Sequence, residues 1–250
     1  MPVFPVLTIL PMSATIIAGA FAIVLLNRYF SNRRRPHELM WGIAFLLFAI
    51  GAACQVLADV SGSWTPVVAR TYYLTGAILN VGFLALGTIY LLFSRRISAI
   101  ALAITLILSM YSLYALYTVP ADNAILVQSH HVDWRAFFSI NVTPRWLAAI
   151  FSGVGSIIVI AGALYSGIIF WRKRIMKHRM IGVFLIASGT FVVGLGGTIK
   201  GALHNDDYLY SSMVVGLIIM FVGYLQTVRP SVIVQNRVLE PVPEHSPTAH

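Results

Sequence analysis

Acidic residues are scarce in this chain: eight aspartates and glutamates in 250 positions, against 17 lysines and arginines. Charged residues of both signs reach only 10%, where a soluble domain carries about 25%. That shortage excludes an ordinary water-facing surface. Cysteine is almost absent too. The single Cys54 sits inside an apolar run, so an intrachain disulfide, a cysteine-based zinc site and a redox pair are excluded. Also missing are a Gly-rich phosphate loop, a nucleophile elbow and a His-Glu-x-x-His helix. The segment before the first apolar run, Met1 to Pro5, has no positive charge, so that run is expected to stay uncleaved with its N-terminus outside.

What the chain has instead is apolar length, with 58% hydrophobic residues. Runs at 6–30, 37–59, 67–93, 97–118, 146–171, 180–201 and 208–228 are each long enough to cross ~30 Å of hydrocarbon as a helix, at 1.5 Å rise per residue. The fold class expected is all-α: a seven-helix transmembrane bundle over residues 1–228, followed by a Pro-rich, disordered cytoplasmic tail at 229–250.

The basic residues orient it. Arg28, Arg33, Arg34, Arg35, Arg95, Arg96, Arg172, Lys173, Arg174, Lys177, Arg179, Arg229 and Arg237 fall on one side of the alternating runs. Only Arg70, Arg135, Arg145 and Lys200 fall on the other. Cytoplasmic loops attract lysine and arginine, so the N-terminus is expected outside and the C-terminus inside. The tryptophans Trp41, Trp64, Trp134, Trp146 and Trp171 lie at run ends or in outer loops, as an aromatic belt requires. The net charge of +9 is explained by this topology and gives no reason to expect nucleic acid. The expected surroundings are the lipid of the plasma membrane, with partner subunits of a membrane complex as a further expectation. The basic loop Arg172, Lys173, Arg174, Lys177 and Arg179 is the candidate for lipid headgroups.

Polar residues inside or near spans are the candidate site, because burying them in hydrocarbon is costly. Gln55 and Asp59 are four apart and share a helix face. A short turn returns the chain to Arg70 and Tyr73, Asn80 is the deepest amide, and Lys200 sits near the end of the sixth run. Together Gln55, Asp59, Arg70, Tyr73, Asn80 and Lys200 form a candidate ligand pocket at the outer ends of spans 2, 3, 6 and 7. Snorkelling side chains and interfacial ion pairs, Asp59 with Arg70 and Lys200 with Asp206 or Asp207, explain the same residues without a ligand. A candidate metal set, His130, His131, Asp133, His204, Asp206 and Asp207, lies in two outer loops and carries the nitrogen and carboxylate donors that suit zinc or copper. No catalytic residue stands out. The glycine-rich sixth run, with Gly189, Gly194, Gly196, Gly197 and Gly201, reads as close helix packing, or as a bending gate.

Two groups of three spans flank the fourth. Ile17-Ala18-Gly19-Ala20 recurs as Ile160-Ala161-Gly162-Ala163, and Val81-Gly82-Phe83-Leu84 resembles Val222-Gly223-Tyr224-Leu225. His37 and His178 each follow a basic loop. These suggest a 3+1+3 layout with parallel repeats. The layout resembles the architecture shared by SWEET-type transporters and seven-helix opsins, which implies a helical bundle with a central or outward-facing pocket. Opsin chemistry does not follow, because the last span holds no lysine for a retinal Schiff base, and no intramembrane histidine pair is present for haem. The opening Arg35-Pro36-His37 is similar to that of a set of bacterial seven-span proteins, a likeness that carries no activity. The function expected is small-molecule or ion binding and transport. The alternatives are a non-catalytic accessory subunit, a membrane sensor, or an outer-face metal-dependent enzyme.

Overall fold

The computed structural model describes residues 6–31, 35–119, 126, 137, 143–173, 177–203 and 206–228, and every regular element among them is helical. They are α1 (Val6–Ser31), α2 (Pro36–Ser61), α3 (Pro66–Leu92), α4 (Arg95–Thr118), α5 (Thr143–Lys173), α6 (Lys177–Leu203) and α7 (Asp206–Val228). Each begins and ends within a few residues of an apolar run. Six of them, all but α6, are long and apolar enough to cross a membrane, which makes this a multi-pass membrane protein. In α6, 27 residues long, the described apolar stretch is Phe184–Gly196. The expected tail, 229–250, lies outside the described residues.

Helix boundaries follow local chemistry. Pro36 and Pro66 occupy first-turn positions, where a missing N–H costs nothing and the fixed φ suits a helix. Thr65 Oγ1 caps α3 by accepting from the Val68 N–H at 3.3 Å. Gly62 ends α2 with φ 72°, a left-handed conformation that glycine adopts without a Cβ penalty.

One irregularity was not expected. Residues Tyr73–Leu79 of α3 form a π-helical turn, continuous with α-helix on both sides. A π segment inserts an extra residue into the winding and re-aims the side chains after it, and such segments gather at functional sites.

The helices close a ring. α1 packs on α2, α2 on α3, α3 on α5, α5 on α6, α6 on α7, and α7 returns to α1. Helix α4 lies outside this ring, against α3 and α5. Its buried residues are few (Ser98, Ser112, Ala115 and Leu116), while Tyr111 and Tyr114 are exposed. The bundle has one end marked by Arg28 and Glu38 and another by Trp64 and Arg70. At the Trp64 end, Leu126 and Phe137 are buried against Trp64, Tyr73 and Phe151. The Leu126 carbonyl there accepts from the Trp64 N–H at 3.4 Å.

Packing sorts residues by size more than by polarity. In α1 the buried stripe is Ala14, Ala18, Phe21, Ala22 and Leu25, while Ile9, Met12, Ile16 and Ile23 face outward. Small residues bring helix axes close, and the bulkier aliphatic ones meet lipid as readily as protein. Helices α6 and α7 approach closest of all. A Cβ on Gly189 would lie 2.5 Å from the Gly216 carbonyl oxygen. One on Gly216 would lie 2.7 Å from that of Gly189, and one on Gly223 2.7 Å from that of Gly182. The seam therefore pairs Gly182 with Gly223 and Gly189 with Gly216, two turns apart on antiparallel helices. Gly197 and Gly201, the spaced pair in the sequence, fall where side-chain surroundings are not described.

Candidate functional site

A chamber of about 620 Å³ lies inside the ring. Its wall comes from α2 (Ala44, Phe45, Phe48), α3 (Gly76, Asn80, Val81, Leu84), α5 (Ser152, Gly153, Ser156, Ile160), α6 (Thr190, Phe191, Val193, Gly194, Leu195) and α7 (Met213, Met220). Small-molecule sites commonly enclose about 300–1,000 Å³ with mostly apolar walls and a few polar groups. This chamber has that make-up. Among the described residues its polar side chains are Asn80, Ser152, Ser156 and Thr190, and no charged side chain lines it.

The π turn is what opens α3 towards the chamber. Gly76 lies within the turn and Asn80 directly follows it. Asn80 Oδ1 accepts from the Val81 N–H at 2.6 Å, which directs the amide nitrogen away from its own backbone. Ser152 Oγ donates to the Ala77 carbonyl at 3.0 Å, and Thr190 Oγ1 to the Ile186 carbonyl at 2.9 Å. Both hydroxyl hydrogens are thus engaged, and their lone pairs remain as acceptors.

A second cavity of about 290 Å³ adjoins the chamber towards the Trp64 end and shares Phe48, Gly76 and Met213 with it. Tyr72, Tyr73 and Tyr210 line it. Towards the Arg28 end a small space of about 30 Å³ shares Phe45, Leu84 and Met220 with the chamber. It is walled by Phe21, Trp41 and Tyr224, with Phe21 stacked on Phe45 at 4.1 Å between centroids. The three spaces form a series along the bundle.

Beyond that small space stands the one ion pair among the described residues. Arg28 Nε lies 3.5 Å from Glu38 Oε1, and the Arg28 guanidinium lies 5.7 Å from the centre of the Tyr224 ring. The Glu38 side chain is 5% exposed and that of Arg28 28%. Glu38 Oε2 is buried and meets no hydrogen-bond donor among the described residues. The sequence contained a signal for this pair that reading by depth passed over: Glu38 is the one acidic residue at the basic end of any apolar run.

The candidate pocket residues are dispersed. Gln55 Nε2 donates to Asp59 Oδ1 at 2.8 Å, as their spacing implied. Arg70 does not reach Asp59. It donates to the Tyr117 carbonyl at 3.4 Å and lies 5.5 Å from the centre of the Tyr117 ring on α4. The cause is direction: Arg70 belongs to the first turns of α3 and faces α4, while Asp59 ends α2. Asp59→Asn and Arg70→Gln are therefore expected to have additive effects on thermal stability in detergent. A double mutant markedly more stable than that sum would reveal a coupling the geometry lacks. Tyr73 and Asn80 line the two larger cavities. Lys200 lies in α6, with a side chain outside the described ones.

Of the candidate metal set, His130, His131, Asp133 and His204 lie outside the described residues, and Asp206 and Asp207 open α7 with side chains not described. Among the described residues no three metal-ligating side chains converge. Of the candidate headgroup set, Arg174 falls outside the described residues, while Arg172, Lys173, Lys177 and Arg179 lie at the facing ends of α5 and α6, side chains again not described.

No protein-family model, curated protein or solved structure matches this chain. The functional reading rests on its own geometry.

Proposed function

We propose that this protein binds a small molecule in the chamber beside Asn80 and carries it across the membrane. The observation that carries this reading is the π turn. It interrupts an otherwise regular helix at the point where Gly76 and Asn80 form the wall of a 620 Å³ space. A bundle built only for packing has no use for that interruption. The 290 Å³ cavity supplies an approach from the Trp64 end, while the 30 Å³ space leaves the Arg28 end closed to anything larger than water.

In this reading α6 is a seventh span, since 27 residues extend to about 40 Å, more than the hydrocarbon thickness. The N-terminus is outside and the C-terminus in the cytoplasm of a plasma membrane. A reporter fused after Arg237 is expected to be cytoplasmic, and an externally accessible one would end the seven-span scheme. The contact ring supports the 3+1+3 layout: the pairs α1–α2, α2–α3 and α3–α5 have counterparts in α5–α6, α6–α7 and α7–α1. The matched glycines are not equivalent, because Gly82 abuts Phe151 of α5 whereas Gly223 abuts Gly182 of α6.

Ligand occupancy provides the functional test. A molecule that binds the folded protein at 100 times its Kd adds about 2.7 kcal/mol of stability. Screening a panel of small molecules for a rise in Tm is expected to yield a class that stabilises the parent and accumulates in proteoliposomes. Gly76→Phe and Asn80→Leu, which fill the chamber and remove its amide, are expected to abolish that rise. Equal shifts in parent and variants would place binding elsewhere and end the chamber reading.

A further inference from the structure

The chamber's wall is incomplete on one side. Helices α5 and α6 meet towards the Arg28 end, where a Cβ on Gly167 would come within 2.8 Å of the Phe184 ring. Further along they part. Gly153 on α5, with Phe191 and Leu195 on α6, all line the chamber, and all three are exposed. Phe191 is 55% exposed and Leu195 43%. Wall residues this exposed mark the open side of the chamber. With α6 as a span, as proposed above, this open side lies in the middle portions of two membrane-crossing helices and faces hydrocarbon and not water.

Two further observations agree. A Cβ on Gly76 or on Gly153 would meet nothing within 4 Å. By contrast Gly82, Gly87, Gly155 and Gly162 each sit tight against a neighbouring helix. The chamber glycines are thus not there for helix packing, and they keep space empty. Among the described residues no charged side chain lines the wall to replace the hydration of an ion, and an unpaired charge moved into such a site costs far more than a neutral polar group.

We propose, on the basis of the binding-chamber reading above, that the ligand is an uncharged, mainly apolar molecule bearing a carbonyl or hydroxyl group, and that it enters sideways from the bilayer between α5 and α6. The Asn80 amide N–H donates to the ligand oxygen. The Ser152 and Thr190 hydroxyl oxygens accept from a ligand hydroxyl where one is present. Phe45, Phe48, Phe191 and the two methionines enclose the apolar frame. Methionine suits this task because its unbranched, polarizable side chain adapts to irregular shapes.

Thiol labelling tests the route. A single cysteine is placed in the chamber as Ser156→Cys in a Cys54→Ala background, in proteoliposomes. N-phenylmaleimide is the membrane-soluble probe. The trimethylammonium methanethiosulfonate MTSET, added on both sides, is the charged aqueous probe. N-phenylmaleimide is expected to label the chamber cysteine at least about tenfold faster, relative to free thiol, than MTSET does. Gly153→Leu, which places bulk in open space at the mouth, should slow phenylmaleimide labelling by about tenfold, the factor set by ~1.4 kcal/mol of added barrier. Phe191→Ala should speed it. Leucine in a helix is no worse a helix former than glycine, so loss of fold is not the expected cause of slowing, and an unchanged Tm checks this.

Labelling by MTSET as fast as by phenylmaleimide would overturn lateral entry while leaving the chamber itself in place. Insensitivity of phenylmaleimide labelling to both rim substitutions would overturn it as well. A chamber cysteine that neither probe reaches would remove the chamber, and the binding reading with it.

Discussion

Arg28→Met is expected to destabilise the protein by about 3–5 kcal/mol, the cost of leaving a buried charge without its partner. The Glu38 side chain is 5% exposed, and its Oε2 already lacks a donor among the described residues. Arg28 is the one side chain among the described residues that forms an ion pair with the carboxylate, which also lies in the first turn of α2. The reverse substitution, Glu38→Gln, is expected to cost much less. Arg28 is 28% exposed, rests over the Tyr224 ring at 5.7 Å, and has a long apolar stem that lets its head turn towards water. The double mutant should recover most of the loss caused by Arg28→Met, because no buried charge remains. Unfolding in mild detergent measures all three. Equal losses from the two single substitutions would show that burial of the carboxylate is not what makes the pair matter. The pair joins the end of α1 to the start of α2 and lies beside α7, so its loss should loosen the end of the bundle next to the smallest cavity.

Gly216→Ala is expected to produce the next largest effect, about 1–3 kcal/mol from a single added methyl group. The added carbon would stand 2.7 Å from the Gly189 carbonyl oxygen and 2.5 Å from the Val193 side chain. A side chain can rotate away; a helix backbone cannot, so α6 and α7 must separate along their length. Gly189→Ala imposes the same separation from the opposite face. The two substitutions together should therefore cost less than the sum of each alone, since one displacement relieves both. Gly153→Ala is the control. Nothing lies within 4 Å of the new atom, and alanine is the better helix former, so stability should hold or rise slightly. A loss at Gly153 equal to that at Gly216 would mean that glycine content, and not backbone contact, governs these helices.

The seam result bears on function through α6. Helix α6 is fixed to α7 by glycine backbone contacts on one face and forms the rim of the chamber with Phe191 and Leu195 on another. Separation of α6 from α7 would alter the chamber wall at Thr190 and Met220, which lie 3.5 Å apart from oxygen to sulfur. Seam variants that still fold should accordingly bind ligand more weakly.

The helices were legible in the amino-acid sequence because hydrocarbon imposes a length and a polarity on anything that crosses it. Apolar runs at 6–30 and 37–59 became α1 and α2 almost residue for residue, and the turn between α2 and α3 was readable from Gly62 and Pro66. Polar residues near the spans were also visible, and Tyr73 and Asn80 do line cavities. Which helix faces turn inward was not legible. The criterion that works in water, polar outside and apolar inside, vanishes when the solvent is itself apolar. In α1 alanine and isoleucine are both acceptable to lipid, and only the fit against Phe45 and Leu217 decides that Ala14 and Ala18 face inward while Ile16 faces out. Arg70 turned to Tyr117 and not to Asp59 for the same reason, since a polar residue's partner depends on the helix it faces and not on its distance along the chain. The π turn, the Gly182–Gly223 and Gly189–Gly216 pairing and the side opening between α5 and α6 are likewise products of tertiary structure. Each depends on how closely two helices approach, and that distance is set by the shapes of both surfaces together.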